Sequence, residues 1–472
     1  MTNNYTQKIL EKNRSINNKT VLIDDTRSCT YGELENFVLK FSLVLQSHVK
    51  PGDRVIILLD DCVEFAVGAL SVIAVGAVPV MASIDQSHED LAKVIETSNA
   101  KLILTSLDTK FDVPVISKAD ILIEQGQNIS VFYDWHPDEH CYWYLTSGTS
   151  GDSKYMVHRH DNLFILPELV HYNTLRIQAD SVVMTTPKLQ FAYGFGVFLS
   201  TLLQGSVMIL SEGRPAPTKV FSKLNKYSVS SLITSVHVLN SILKHKKGQP
   251  FPASVNYVLC GGEPMPDSLA NGFYEEFKIK ITNGLGIAEI GNIFCLQDYD
   301  NPEFGTIGKP IPGVQLEVRN EEGAVVPVGS VGELYVKSPC TASLYWKNWN
   351  KTKDAFVGHW FRTGDNVMQL PSGNFKFISR TNGALKINHE YVTTTEIESA
   401  ILENENILDC MVVFKYNEVS EIHAHVVSRS KDNMNLKDFL KKRLPAHKIP
   451  KYFNFMEKLP TTITGKKLRR AV

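Results

Sequence analysis

The chain has 472 residues, of which 43% are hydrophobic, 21% charged and 10% aromatic, close to the averages of soluble globular proteins. This length exceeds what one compact core usually organises, so we expect a large domain and at least one smaller one. The 49 basic and 50 acidic residues leave a formal net charge of -1, which excludes a global field that would attract nucleic acid or an anionic membrane.

Cysteine usage and the apolar segments predict a cytoplasmic protein without a membrane span. The 7 cysteines are spread singly, with no CxxC pair, which is typical of reduced thiols. The polar start MTNNYTQKILEKNRSINNKT lacks the apolar core of a secretory signal. The longest uncharged run, residues 65–83, is nearly long enough to span a bilayer. Pro79 and the acidic residues before the run favour a buried helix followed by a strand.

Strand-like runs alternate with helix-like stretches through the first part of the chain. The runs are rich in β-branched residues and lie at 54–59, 100–105, 181–186, 206–210, 230–235 and 256–262. This alternation predicts parallel βαβ units. No period of 20 to 50 residues repeats, which excludes a solenoid.

The pattern changes twice towards the C-terminus. From about Gly305, short strands and turns predict a small β-rich subdomain. After Arg380, helical spacing at 394–404, strands at 409–416 and 421–429 and a basic helix ended by Pro445 follow. We therefore predict an α/β fold with an N-terminal domain at 1–379 and a small α+β C-terminal domain at 380–472.

The stretch YLTSGTSGDSKYM, residues 144–156, taken alone fits an ordinary surface turn better than an anion-binding loop, and the motifs described below favour the loop. Two glycines allow backbone N–H groups to converge on an anion, with hydroxyls alongside and Lys154 as the counter-charge. The natural ligand is a polyphosphate. The loop lacks the GK pair of P-loop NTPases, and NGLGIAEIG does not fit the dinucleotide GxGxxG spacing. The loop residues singled out are Thr146, Ser147, Gly148, Thr149, Ser150 and Gly151.

Five motifs in order resemble the adenylate-forming superfamily of acyl-CoA synthetases, carrier-loading adenylation domains and luciferases. They are TYGEL (30–34), the phosphate loop, NGLGIAEI (283–290), FRTGD (361–365) and PTTITGKKLRR (460–470), and they span essentially the whole chain. Five further segments are most similar to those of benzoate-CoA ligases and related aryl-acid enzymes: VHRHDN, KLQFAYGFG, CGGEPMP, GKPIPG and LYWKN.

The resemblance implies an enzyme that uses ATP and Mg²⁺ to convert a carboxylic acid into an acyl adenylate and releases pyrophosphate. The acyl group then passes to a thiol, CoA or a phosphopantetheine, after the mobile C-terminal domain has rotated. Because two anions must meet, positive charge has to be concentrated between them. The resemblance makes Lys466 the adenylation lysine and Glu289 the magnesium ligand, an oxygen donor that suits a hard cation.

The resemblance also implies contacts to the rest of the nucleotide and to the acid. Asp365 would bind the ribose hydroxyls, with Arg380 near the ribose and phosphate. Further ATP contacts would be Gly262, Glu263, Asn283, Gly284, Leu285 and Gly286. The acyl pocket would be lined by Phe191, Ala192, Tyr193, Gly261, Gly286, Asn292 and Ile293.

Two pocket positions narrow the range of acids that the pocket could accept. Ala192 stands where enzymes that activate amino acids typically carry an aspartate, which argues against an amino acid. Asn292 stands where benzoate ligases often have a histidine, and a buried amide needs a polar partner. We therefore favour a benzoate bearing a hydroxyl or amino group. His158 and His160 have the spacing of a metal pair, but no third ligand is near and we expect no transition metal there.

The chain departs from the family pattern around the phosphates. Ser153 replaces the usual proline of the loop and Tyr155 the usual glycine, which changes rigidity and crowding. Ala288 stands where a threonine normally helps to bind phosphate. The loss of one transition-state donor costs a factor of about 10² to 10³ in other enzymes, so we expect slow or compensated adenylation.

The hinge departs further, with Ser379 for a glycine and Asn382 for the hinge acid. Lys386 and His389 are assigned to the thiol tunnel, where His389 replaces a glycine and would obstruct entry. Three functions stay open: CoA ligation, loading of a carrier-protein phosphopantetheine or an amine, and a non-catalytic descendant that binds a nucleotide or acyl ligand. Monomer and homodimer both fit the sequence.

Overall fold

The computed structural model describes residues 3–147, 153–245, 248–263, 265–380, 384–387, 390–416, 420–429, 435–461, 467 and 469. The chain divides into two compact units. The first comprises Met1–Gln315 and Lys337–Phe361, and the second Leu316–Val336 and Arg362–Val472. The domain boundary at 379/380 stays a prediction.

The strands are, in chain order, β1 (Thr20–Ile23), β2 (Ser28–Thr30), β3 (Arg54–Leu58), β4 (Val78–Met81), β5 (Ala100–Thr105), β6 (Val115–Ser117), β7 (His140–Ser147), β8 (Ser153–Arg159), β9 (Val182–Thr185), β10 (Val207–Ile209), β11 (Ser231–Thr234), β12 (Tyr257–Gly261), β13 (Thr282–Gly286), β14 (Ile293–Leu296), β15 (Lys309–Pro310), β16 (Gln315–Arg319), β17 (Val331–Lys337), β18 (Leu344–Tyr345), β19 (Phe356–Val357), β20 (Trp360–Gln369), β21 (Phe375–Arg380), β22 (Ala384–Ile387), β23 (Glu390–Thr393), β24 (Ile407–Tyr416), β25 (Ser420–Ser428) and β26 (Tyr452–Phe455). The helices are α1 (Tyr5–Asn13), α2 (Tyr31–Gln46), α3 (Val63–Ala74), α4 (His88–Ser98), α5 (Asn162–Val170), α6 (Ala192–Gln204), α7 (Pro217–Lys226), α8 (Val236–His245), α9 (Asp267–Phe277), α10 (Trp349–Ala355), α11 (Thr394–Leu402) and α12 (Leu436–Lys441).

Two mixed sheets organise the first unit. One has the order β15-β14-β13-β12-β11-β9-β10-β1-β2, and the other has the order β18-β8-β7-β4-β3-β5-β6. Pairing is parallel from β1 through β10, β9, β11 and β12 to β13. Pairing is also parallel from β7 through β4, β3 and β5 to β6. The predicted parallel βαβ units are therefore confirmed.

The apolar run at 65–83 forms a buried helix and a strand, as the sequence predicts. Every residue of α3 is buried, and β4 follows it with four buried positions. Buried on all sides, this helix needs no polar face. Among the described residues, none of the helices has the length and apolar character needed to cross a bilayer.

The second unit contains smaller sheets. Strands β16, β17, β20 and β21 lie in that order, β22 pairs with β23, and β25 lies between β24 and β26. Helices α11 and α12 contribute Ile397, Ile401 and Leu440 to a core shared with Val412 of β24 and Ala424 of β25. The C-terminal helices and strands thus form where the sequence predicts them, although α12 ends before Pro445.

Candidate active site

The predicted phosphate loop closes a hairpin. Strands β7 and β8 pair antiparallel up to Ser147 opposite Ser153, so residues 148–152 connect them. Gly148, Thr149, Ser150 and Gly151 lie outside the described residues, and for Thr146 and Ser147 the structure describes the backbone. Lys154 lies opposite Thr146 on β8 and is half-buried. The predicted counter-charge therefore sits on a sheet strand next to the loop.

Glu289 lies in the turn between β13 and β14. Its Oε1 accepts a hydrogen bond from Tyr345 Oη at 2.7 Å, and its carbonyl accepts one from the Ala342 N–H at 2.7 Å. Mg²⁺ usually takes one or two protein carboxylates together with substrate phosphates and waters. A single oriented carboxylate fits that donor set. No group of three or more His, Cys, Asp or Glu side chains suited to a metal occurs in the described part of the chain.

The predicted further ATP contacts lie in β13 and in the loop after β12. Asn283 is buried, and its Nδ2 donates to the Thr306 carbonyl at 3.2 Å, so this side chain serves the fold. Gly284 is buried, whereas Leu285 and Gly286 are half-buried. Gly262 and Glu263 follow β12. Gly262 has a φ of +91°, and open space surrounds the position of a Cβ there.

The structure brings most of the predicted acyl-pocket residues together. A Cβ on Gly261 would lie 2.8 Å from Ile293 Cδ1 and 3.4 Å from Tyr193 Cε1. A Cβ on Gly286 would lie 2.7 Å from the Asn292 carbonyl oxygen. Glycine is therefore required at these two positions to keep Tyr193, Asn292 and Ile293 close together. The Tyr193 hydroxyl is buried and has no hydrogen-bond partner among the described residues.

From the sequence we expected the Asn292 amide to need a polar partner on the substrate, but protein groups already contact it. Its Oδ1 accepts a hydrogen bond from the Ile293 N–H at 2.7 Å, and its Nδ2 lies 3.4 Å from the Tyr193 carbonyl. A Cβ on Gly196 would lie 2.1 Å from that nitrogen. The amide oxygen is thus satisfied by the backbone, whereas the Tyr193 hydroxyl is buried without a hydrogen-bond partner in the described part of the chain.

The helix that carries Ala192 and Tyr193 begins after an anchored segment. Phe191 is the half-buried residue before α6, and Ala192 is buried. The Leu189 N–H donates to Asp61 Oδ1 at 2.8 Å, and Lys188 Nζ lies 3.9 Å from Asp61 Oδ2. Burial raises the pKa of Asp61 to about 7, against the opposing effects of Lys188 and the Leu189 N–H.

The two histidines of VHRHDN are both engaged by protein groups. His158 is fully buried, and its ring nitrogens contact the Ala288 carbonyl at 2.9 Å and Asn162 Nδ2 at 3.0 Å. The Tyr5 N–H donates to His160 Nε2 at 3.0 Å. Burial lowers the pKa of each imidazole to about 4, which keeps both rings neutral at pH 7.

In the second unit, Asp365 and Arg380 form an ion pair across β20 and β21. Arg380 Nε lies 2.9 Å from Asp365 Oδ1, with the carboxylate side chain 2% exposed and the arginine side chain 61% exposed. Arg380 Nη1 also donates to the Thr363 carbonyl at 3.1 Å. The predicted ribose acid is therefore held in one orientation from its own sheet.

Several assigned residues lie at or beyond the limits of the description. Lys466, His389 and Asn382 lie outside the described residues, and for Lys386 the structure describes the backbone, in β22. Tyr155 and Ser379 are buried. From the sequence we expected Tyr155 to crowd the phosphate loop. In the structure its hydroxyl donates to the Lys93 carbonyl at 3.4 Å.

Sequence reasoning missed Tyr345, Asn162 and Asp61, which orient the candidate site. Tyr345 belongs to LYWKN and Asn162 to VHRHDN, and both segments contributed to the resemblance without a role for either side chain. Asp61 follows strand β3 in an acidic pair with Asp60. The available signal for Asp61 was an acidic pair within three residues of the end of a buried strand.

Comparison with known proteins identifies the family. The AMP-binding enzyme model matches residues 11–346, and the AMP-binding enzyme C-terminal domain model matches residues 396–466. The chain therefore belongs to the AMP-binding enzyme family. The expected enzyme class, an acyl-adenylate-forming acid–thiol ligase, is confirmed, and the family's cofactors agree with the expectation of ATP, Mg²⁺ and a thiol acceptor, CoA or phosphopantetheine.

Similar proteins confirm the fold class. The benzoate-CoA ligase of Thauera aromatica is 29% identical over 489 residues, covering 96% of this chain and 93% of that protein. A 4-hydroxybenzoate-CoA/benzoate-CoA ligase of Rhodopseudomonas palustris is 26% identical, covering 95% of this chain and 89% of that protein. The solved structure of a benzoate CoA ligase from Burkholderia xenovorans LB400 has a TM-score of 0.90 at 28% identity and covers 99% of both chains.

Proposed function

We propose that the chain activates a benzoate that carries a hydroxyl or amino group on its ring and transfers the aryl group to CoA. In the first step a carboxylate oxygen attacks the α-phosphorus of ATP, and pyrophosphate leaves. In the second step the CoA sulfur attacks the carbonyl carbon of the aryl adenylate, and AMP leaves. The similar benzoate and 4-hydroxybenzoate ligases support an aromatic acid.

The observation that supports a polar substituent on the substrate ring is the buried Tyr193 hydroxyl, which has no hydrogen-bond partner among the described residues. A buried polar group without a hydrogen bond costs about 1 to 3 kcal/mol. A hydroxyl or amino group on the substrate would supply the missing partner, whereas a plain apolar ring would not.

The charged residues are proposed to act on the nucleotide. Lys466 would bridge the substrate carboxylate and the α-phosphate, and Lys154 would neutralise phosphate charge. Bound Mg²⁺ would offset the phosphate charge during attack, and Glu289 is the protein ligand proposed to hold it. Asp365, oriented by Arg380, would accept hydrogen bonds from the ribose hydroxyls.

Exchange of labelled pyrophosphate into ATP tests the first step. Purified protein is given Mg²⁺, ATP and a panel of acids: benzoate, its hydroxy and amino derivatives, cyclohexane carboxylate and amino acids. We expect the hydroxy- or aminobenzoates to give the fastest exchange, and Lys466→Ala to abolish it. A flat response over the panel would refute the proposal.

The acceptor is tested separately on preformed aryl adenylate. Offering CoA, carrier proteins and amines in turn should give a CoA thioester, and faster transfer to a carrier or an amine would establish the loading function instead. His389→Gly should speed CoA transfer if the imidazole obstructs the thiol. Ligand binding without any exchange would favour the non-catalytic descendant, which Ala288 and His389 make worth testing.

A further inference from the structure

Hydrogen bonds from three other residues hold Ala288 and Glu289 in place. A ring nitrogen of His158 lies 2.9 Å from the Ala288 carbonyl oxygen. The Ala342 N–H donates to the Glu289 carbonyl at 2.7 Å, and Tyr345 Oη donates to the Glu289 carboxylate at 2.7 Å. The Ala288 carbonyl, the Glu289 carbonyl and the Glu289 carboxylate are therefore restrained.

The His158 ring is fixed in tautomer and orientation. Asn162 Nδ2 lies 3.0 Å from His158 Nδ1 and 3.0 Å from the Cys340 carbonyl. Because the amide nitrogen carries only hydrogens to donate, Nδ1 accepts and Nε2 carries the proton that is donated to Ala288. The ring stacks on Tyr142 at a centroid distance of 5.0 Å and meets Tyr144 edge-on at 5.3 Å.

The elements that hold Glu289 are joined to the phosphate hairpin. His158 belongs to β8, which begins at the end of the predicted phosphate loop and carries Lys154. The segment with Ala342 and Tyr345 is paired to the same strand, because β18 aligns Tyr345 opposite Met156. One strand thus links the predicted phosphate-binding groups to the predicted magnesium ligand.

We propose that His158 is a positioning residue that fixes the Ala288–Glu289 peptide, so that the Glu289 carboxylate is held ready for the Mg²⁺ that accompanies ATP. This role rests on the proposed function of Glu289. A ligand must be held within about 0.5 Å of its productive position. The Ala288 carbonyl also accepts a hydrogen bond from the Gly291 N–H at 3.1 Å, within its own turn. His158 is the group that ties this carbonyl to β8, so without His158 the turn would keep its internal bond and lose its tie to the strand.

The test compares His158→Phe and His158→Gln with a matched control, His160→Phe. Phenylalanine keeps a flat ring and removes the donor, whereas the glutamine amide places an N–H near the position of Nε2. His160 is also a buried histidine of the same hairpin, but it contacts Tyr5 rather than the Glu289 turn. A general loss of stability would therefore affect His158→Phe and His160→Phe alike.

The readouts are the affinity for ATP by calorimetry, with Mg²⁺ and with EDTA, and the Mg²⁺ concentration that gives half-maximal exchange. For His158→Phe we expect the Mg²⁺-dependent gain in affinity to fall, and the half-maximal Mg²⁺ concentration to rise, by about 10- to 100-fold, the usual cost of losing a group that orients a metal ligand. His158→Gln should restore most of the gain, and His160→Phe should leave it unchanged.

Equal effects of His158→Phe and His160→Phe, or an unchanged Mg²⁺ dependence in His158→Phe, would overturn the proposal. If His158→Phe does not fold, Asn162→Ala decides, because it removes the bond to His158 Nδ1 that orients the ring, keeps the imidazole, and should reduce the same Mg²⁺-dependent gain. Glu289→Gln separates this inference from the function on which it rests. If that variant keeps the full Mg²⁺-dependent gain, the assignment of Glu289 fails; if it loses the gain while the His158 variants keep it, only the positioning role fails.

Discussion

Removal of the Tyr193 hydroxyl should make the ligand-free protein more stable and the enzyme less selective. Tyr193→Phe keeps the ring near Gly261 and deletes one buried oxygen that has no hydrogen-bond partner among the described residues. Burial raises the pKa of this phenol well above its ordinary value, so the group stays neutral. Deleting it removes a desolvation penalty of about 1 to 3 kcal/mol, and the free energy of unfolding should rise by up to that amount.

The bound state responds in the opposite direction. A substrate hydroxyl or amino group that pairs with Tyr193 would gain about 0.5 to 1.5 kcal/mol, a factor of about 2 to 13 at 25 °C. The kcat/KM of exchange with the preferred substituted benzoate should fall by that factor in Tyr193→Phe, while the value with benzoate stays the same or rises.

Urea unfolding at pH 7 and pyrophosphate exchange measure the two effects. Tyr5→Phe is the matched control, because the Tyr5 hydroxyl is also buried without a partner among the described residues, in a helix that contributes nothing to the pocket. Both variants should be stabilised, and only Tyr193→Phe should lose selectivity. If Tyr193→Phe is destabilised and its selectivity is unchanged, the hydroxyl serves the fold and the argument for a ring substituent fails.

Three further predictions concern charge and burial. Because the pKa of Asp61 is raised, its protonated form stabilises the fold, and this contribution is lost as pH rises from about 4 to about 7. Because the pKa of His160 is lowered, its neutral form stabilises the fold, and this contribution is lost as pH falls from about 6.5 to about 4. Urea titrations between those limits should therefore show Asp61→Asn gaining stability relative to the wild type with rising pH, and His160→Gln losing it. Arg469 pairs with the buried carboxylate of Glu398 through Nη2 at 3.0 Å. Arg469→Met should therefore destabilise the second unit by about 1 to 3 kcal/mol, after allowance for the partial exposure of the arginine, and should slow exchange because Lys466 lies three residues away. An unchanged free energy of unfolding would exclude this anchor. All seven cysteines are buried, so a thiol reagent should react slowly with the native protein and with all of them after unfolding, and rapid labelling of the native protein would contradict the structure.

The fold was predictable where burial repeats along the chain. Strand β5 coincides with the β-branched run at 100–105, and α3 and β4 with the apolar run at 65–83. Burial on both faces of a parallel strand leaves a continuous apolar segment in the sequence, and that signal is local. The antiparallel strands β8 and β18 were not predicted as a pair, because β18 has two residues and pairs with a strand far away in sequence.

The contacts that orient the candidate site were not predictable for a different reason. His158 meets the carbonyl of a residue 130 positions away, and Asp61 meets an N–H group 128 positions away. Periodicity tells which face of an element is buried, but it does not name the partner on another element. Motif resemblance assigned Glu289 and Tyr193 to the site by position, whereas the groups that hold their surroundings required three-dimensional placement.

Ala288 shows how one residue can lose a chemical role and keep a structural one. A threonine there would offer a hydroxyl to phosphate, and alanine cannot. Yet the hydrogen bond from His158 goes to the Ala288 backbone carbonyl, which every amino acid supplies. The turn that carries Glu289 can therefore be held as firmly with alanine as with threonine. On the proposed function, the substitution removes one donor to the transition state and leaves the restraint on the proposed magnesium ligand in place, which is why we expect slowed adenylation rather than its loss.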